Sequence, residues 1–162
     1  MNNPRVRAYE ASRGCTLLEP LGMERGQDGF VLRSDRATAV KFFDSPDRFR
    51  RERDVYLVLR DRGISKVAGH AVPELIEVDE QLSAMEMTIV SRPFLLDFAG
   101  AKHPEEVPDF DQGVLDEHLE HLRDLFDDRW ADALHVADVF RRQTGFILLD
   151  IHPGNIAFGS SE

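Results

Sequence analysis

The sequence predicts an α+β fold, and three observations carry that prediction. Residues 14–90 read as short β-branched and aromatic strands with one helix among them. Residues 99–110 form a stretch rich in Pro, Gly and acids. From 112 to 143 the apolar residues recur at helical spacing. Strands with a single helix, followed by mostly helices, argue for segregated α and β parts with a boundary near 91–98.

The elements follow in chain order. Thr16-Leu17-Leu18 and Phe30-Val31-Leu32 read as strands flanking a stretch that holds Gly22, Gly26 and Gly29. Thr38 to Phe43 is a third strand, rich in β-branched and aromatic residues. Asp44-Ser45-Pro46-Asp47 breaks it and caps a helix over roughly 47–62, with Gly63 at the stop. Pro73 to Val78 and Ala84 to Val90 are two more strands, joined by the polar Asp79-Glu80-Gln81. Leu115, Leu119, Leu122 and Phe126 form one helical stripe, and Trp130, Leu134, Ala137 and Phe140 or Arg141 another. Asp111 suits the cap and Thr144-Gly145 the stop. One long helix over 112–143 and two helices broken near Asp127-Asp128 are both open. Phe146 to Leu149 and Ile156 to Phe158 then read as short apolar strands around a polar loop.

Composition bounds the functional classes. The chain has 162 residues, is 42% hydrophobic and 31% charged, and suits an ordinary soluble globular protein of one domain or two small lobes. No apolar run reaches the length of a membrane span, and Met1-Asn2-Asn3-Pro4-Arg5 opens no signal core. The single cysteine, Cys15, excludes an internal disulfide and agrees with a cytoplasmic location; its surroundings suit a plain packed residue. The net charge of −10 is uneven: residues 1–100 carry 15 basic and 16 acidic side chains, residues 101–162 carry 5 and 14. The second part repels nucleic acid and has no basic stripe to bind it. It would suit a basic protein partner, although solvated helix faces explain such charge equally well.

Lysine is scarce, with Lys41, Lys66 and Lys102 against 17 arginines. Lys41 inside the apolar strand Ala39-Val40-Lys41-Phe42-Phe43 therefore asks for a reason. One is a compact ammonium held against phosphates; the other is an edge strand that points its lysine at solvent. On the following helix, Phe49, Glu52, Tyr56 and Leu59 share one stripe. A carboxylate on a core-facing stripe needs a partner, and Lys41 is the nearest candidate in the chain. Solvation at the stripe's edge, or pairing with Arg50, Arg51 or Arg53, is the alternative. Gly22, Gly26 and Gly29 would let backbone NH groups approach phosphate, or would simply make a hairpin turn.

The loop Asp150-Ile151-His152-Pro153-Gly154-Asn155 completes a set. Taken after Ala39-x-Lys41 and Glu52, it resembles the catalytic loop of the protein-kinase-like superfamily. His152 is most similar to the small-molecule kinases of the aminoglycoside and choline type and to atypical bacterial kinases. The resemblance implies a two-lobed fold: an antiparallel-sheet N-lobe with one helix over residues 1–96, and a truncated, mostly helical C-lobe with a catalytic-loop hairpin over 97–162. It also implies ATP and Mg²⁺ as ligands. Lys41 would hold the phosphates and Glu52 would aim it. Asp150 would position the acceptor hydroxyl and contact metal, and Asn155 would offer Mg²⁺ its carbonyl oxygen. Gly22, Gly26, Gly29 and Val31 match a glycine-rich loop and the valine that covers the base. Ala39, Ile89 and Ser91 would border the adenine. Leu148 and Leu149 stand where the family has a His two residues before the Asp or a His-Gly pair. The family's second metal-binding Asp is expected on the strand that follows Ile156 to Phe158, and Glu162, the only carboxylate left there, does not match its position.

Three functions follow as expectations: a minimal ATP-dependent phosphotransferase, a pseudokinase-like module that acts through a partner, or an unrelated α+β interaction protein. Glu117, His118 and His121 share a helix but lack a third ligand motif, and read as exposed side chains on an acidic helix.

Overall fold

Asn3 Oδ1 accepts from the Arg5 amide at 2.9 Å and starts helix α1, Pro4–Arg13, which Gly14 ends in the left-handed conformation. The computed structural model describes residues 3–22, 28–149 and 151–159. The strands in chain order are β1 Leu17–Pro20, β2 Gly29–Ser34, β3 Thr38–Phe43, β4 Lys66–Val67, β5 His70–Ala71, β6 Leu75–Asp79, β7 Ala84–Thr88, β8 Phe94–Leu95, β9 Ala101–Lys102, β10 Ile147–Leu148 and β11 Ile156–Ala157. The other helices are α2 Pro46–Asp61, α3 Gln112–Phe126 and α4 Trp130–Thr144. The molecule is α+β, built on a five-stranded antiparallel sheet in the order β1-β2-β3-β7-β6.

β3 lies at the centre of that sheet, so both of its faces are covered and nearly every residue in it is buried. Side chains alternate between faces with period two. Val40 and Phe42 join Phe30 and Leu32 of β2 and pack under Val6 and Tyr9 of α1. The Phe30 and Phe42 rings stack with centroids 5.0 Å apart. Ala39 and Phe43 face the other way with Met85 and Met87, onto Phe49, Val55 and Tyr56 of α2. The same alternation sends Lys41, between Ala39 and Phe43, to the α2 side. An edge-strand position for Lys41 is thereby excluded: Val31 and Met85 flank it on the two neighbouring strands.

α2 begins where Ser45 Oγ accepts from the Arg48 amide, with Pro46 and Asp47 in the first turn. Its buried residues are Phe49, Glu52, Val55, Tyr56 and Leu59, the expected stripe with Val55 added. Behind it the core continues without a break. Tyr56 meets the Phe98 ring edge-on at 5.2 Å, and Phe98 stacks on Phe140 of α4 at 5.3 Å.

Several expectations change. Residues 112–143 form two helices, separated by a 3₁₀ turn at Asp127–Arg129 with Asp127 at φ 48°. That turn resets the phase, so α4 buries Ala133, Val136, Phe140 and Thr144 and leaves Leu134 exposed. Of the expected stripe, Phe140 is buried and Trp130 and Ala137 pack half-buried against the core, so only Leu134 departs from it. On α3 only Leu122 and Phe126 are buried, while Val114, Leu119 and Leu125 are exposed. The strand expected to end at Val90 stops at Thr88. The loop 99–110 contains β9 and a 3₁₀ turn at Pro104–Glu106. The strands around the polar loop do not form a hairpin with each other. β10 pairs with β9, and β11 pairs with β8 in a small sheet ordered β11-β8-β5-β4. Among the described residues no helix is long and apolar enough to cross a membrane.

Candidate functional site

Between the large sheet and the β8–β11 pair lies a hollow of about 840 Å³, within the range of small-molecule pockets. Its sides are mostly apolar. Leu21 and Val31 come from the β1–β2 side, Ala39 from β3, and Met87 to Val90 from the end of β7. Phe94 and Leu96 of the β8 segment, with His152, Gly154 and Asn155 of the loop before β11, line it as well.

At its inner end stand three charged side chains. Lys41 Nζ lies 2.7 Å from Glu52 Oε2 and 3.5 Å from Asp97 Oδ1. Glu52 is 1% exposed, Lys41 9%. β3 aims the lysine by alternation, and α2 sets the carboxylate on its buried stripe. Asp97 sits at φ 62°, a backbone conformation that short polar side chains tolerate best, immediately after the Leu96 amide donates to the Asn155 carbonyl at 2.9 Å. The Ala99 amide donates weakly to Asp97 Oδ1 at 3.4 Å.

Burial pushes the Glu52 carboxyl up to about 7; the Lys41 ammonium pulls it back down and Asp97 adds to the rise. Burial works against the Lys41 charge, but the Glu52 carboxylate and then Asp97 outweigh it, and the net direction is up. Lys41 therefore keeps its proton at neutral pH, while Glu52 sits near the point of gaining one.

The candidate residues fare differently. Lys41, Glu52, Gly22, Gly29, Val31, Ala39, Ile89 and Asn155 all line the one hollow. Ser91 is exposed and is not among the residues that line it. The neighbouring Pro93 carbonyl is occupied, accepting from the Ala71 amide at 2.9 Å. Asp150 and Gly26 lie outside the described residues. Gly29 has a packing reason of its own: at φ 141°, a Cβ there would stand 1.9 Å from the Phe42 carbonyl oxygen. Gly22 is also at positive φ, 81°, in open space.

Asp97 is the residue that sequence reasoning missed. The available signal was a lone acid in the apolar run Phe94-Leu95-Leu96-Asp97-Phe98. Asn155 is 6% exposed and the turn that holds it closes through its own amide, which donates to the His152 carbonyl at 2.9 Å. An ammonium and two carboxylates thus meet at one end of a mostly apolar slot, and Asn155 lines the same slot. Mostly apolar walls with a few convergent polar groups are the usual make-up of a small-molecule pocket. The described residues contain no group of three His, Cys, Asp or Glu able to hold a metal alone. Compared with known protein families and with curated proteins, the chain matches none.

Proposed function

We propose that this chain is a nucleotide-binding domain of protein-kinase-like build, acting as a minimal ATP-dependent phosphotransferase. The observation that carries the reading is the buried Lys41–Glu52 pair at the end of a hollow whose other wall holds Asn155. The adenine would lie between Val31, Ala39 and Met87, and the phosphates would reach toward Lys41. Glu52 orients the ammonium by a short charged hydrogen bond.

The donor set suits Mg²⁺. Asp97 and Asn155 offer hard oxygens, and Mg²⁺ characteristically binds through one or two carboxylates, with substrate phosphates and water completing its shell. When bound, the cation would neutralise charge on the phosphates. The family's second metal-binding Asp is expected on the strand that follows Ile156 to Phe158. Here the strand paired with β11 is β8, which comes earlier in the chain, and Asp97 follows it by two residues. Asp150 takes the hydroxyl proton on the strength of the loop motif alone.

The test is a thermal melt with Mg²⁺ and ATP together. At a hundredfold excess over Kd the gain is about 2.7 kcal/mol, roughly 5–10 °C for a domain of this size. Asp150→Asn is expected to keep that shift and to lose phosphate transfer. An unshifted melt at millimolar Mg·ATP overturns the reading. A second reading, a pseudokinase-like module that works through a basic protein partner, draws on α3. That helix exposes Val114, Leu119 and Leu125 beside an acidic face of Asp116, Glu117, Glu120 and Asp124. A shifted melt with no turnover on any acceptor would favour it.

A further inference from the structure

We infer that the outer half of α3 is a docking surface for a basic amphipathic helix of another protein. Such a helix would occupy the surface named in the second reading above, on which this proposal rests, whether or not the chain transfers phosphate.

α3 carries two neighbouring stripes at helical spacing. Leu115, Leu119, Leu122 and Phe126 form one, and Val114, His118, His121 and Leu125 form the other. The core covers only the end of the first. Leu122 and Phe126 are buried, whereas Leu115 is half-buried and Leu119 is 46% exposed. The second stripe is bare along its length: Val114 is 54% exposed, and His118, His121 and Leu125 are exposed with it. Phe110, just before the Asp111 cap, adds an exposed ring. A broad apolar face thus runs about 16 Å, from Val114 to Leu125, and the core stops short of most of it.

The backbone of α3 spends its own NH and carbonyl groups inside the helix, so no strand can add to it. The surface offers side chains alone, and a second helix is the element whose ridges fit such a surface. Charge sets the sign of that helix. Asp116 stands three residues before Leu119, and Glu117 three after Val114, so carboxylates border the apolar face on both sides. Glu120 and Asp124 extend the acidic side. Among the described residues, Glu117, Glu120 and Asp124 form no ion pair, and Asp116 accepts only from the Gln112 side-chain amide at 2.9 Å. A second copy of this chain would bring the same carboxylates together, with only Arg123 on each α3 to offset them, so self-pairing is disfavoured. Lysines and arginines along the rims of a partner helix would meet Asp116 and Glu117 while its apolar ridge covers Val114, Leu115 and Leu119.

Fluorescence anisotropy of the intact chain tests this with a labelled synthetic peptide of leucine and lysine, patterned as an amphipathic helix of about 18 residues, long enough to hold that shape. A matched leucine–glutamate peptide is the control. The wild-type chain is expected to bind the lysine peptide about tenfold more tightly than the glutamate one. Val114→Ser with Leu119→Ser, both at exposed positions, should weaken that binding about tenfold with the thermal melt little changed. Glu117→Lys with Glu120→Lys should do the same. Leu18→Ser, at an exposed leucine on β1, should leave the binding unchanged. Equal affinity for the two peptides, or full affinity in both α3 variants, overturns the proposal. So does a stable dimer of the wild-type chain that Val114→Ser with Leu119→Ser dissociates, since a second copy would then cover the face. ATP turnover by a chain that still binds the lysine peptide through α3 would remove the pseudokinase reading and leave the docking surface in place.

Discussion

Lys41 Nζ stands 2.7 Å from Glu52 Oε2, eleven residues apart in the chain and on opposite sides of a strand-to-helix packing face. The pair is coupled to burial in both directions. Removing one partner from a buried ion pair typically costs about 3–5 kcal/mol, because a lone charge is left behind. Here the penalty has an outlet. When the lysine is removed, Glu52, whose carboxyl already sits near 7, can take up a proton and become neutral. Lys41→Met is therefore expected to cost only about 2 kcal/mol in urea denaturation at pH 7. The double change Lys41→Met with Glu52→Leu should be no worse than either single one, and a strictly additive pair of losses would contradict the pairing.

The pH profile of stability follows from Glu52. Its carboxyl is raised from 4.5 in the unfolded chain to about 7 in the folded one. The folded state thus binds that proton more tightly. The contribution is largest below about pH 4.5 and is lost as the pH climbs through 7. For a fully buried group the change is on the order of 3 kcal/mol across that window. Glu52→Gln should flatten this slope. Denaturation midpoints for wild type and variant between pH 5 and 7.5 would falsify the assignment if their difference stayed constant.

Gly29 and Gly22 offer a matched contrast. A Cβ at 29 would sit 1.9 Å from the Phe42 carbonyl oxygen, in the backbone of the neighbouring strand. Gly29→Ala must part β2 from β3 and is expected to lose about 3 kcal/mol or more. Gly22, at φ 81° with nothing nearby, should lose only about 1 kcal/mol on the same change. Equal losses at the two sites would show that strand contact is not what holds position 29.

On the other face of the sheet, Tyr9 Oη donates to Glu86 Oε2 at 2.9 Å, and Thr38 Oγ1 donates to Glu86 Oε1. Glu86 is 4% exposed, and burial together with this carboxylate pushes the Tyr9 hydroxyl well above its ordinary range. Tyr9→Phe keeps the ring on Phe42 and strips one donor from a buried acid. A loss of about 1–3 kcal/mol is expected, read by thermal or urea unfolding. No measurable loss would mean that water replaces the hydroxyl there.

Much of this was readable in the chain, for reasons that differ by element. β3 and α2 announce themselves: a β-branched and aromatic run, a Ser-Pro-Asp start, and an apolar stripe with one carboxylate in it. Helix α1 does not, because only Val6 and Tyr9 face the core along ten residues and no periodicity emerges from two points. The two-residue strands β4, β5, β8 and β11 carry no local signal at all. Their pairing is set by what packs above them. Ile89 and Val90, just past β7, line the hollow, but Ser91 after them is exposed and outside it.

By its own pattern the sequence determined which residues would be buried on β3 and α2. It thereby brought an ammonium and a carboxylate into one desolvated layer, since alternation and helical repeat are local geometry. Only the tertiary structure decided that β11 pairs with β8 rather than with β10. That pairing set Asp97 beside Lys41, although 56 residues separate them. Strand partners are chosen by the packing of the whole core, and no stretch of chain encodes that choice alone.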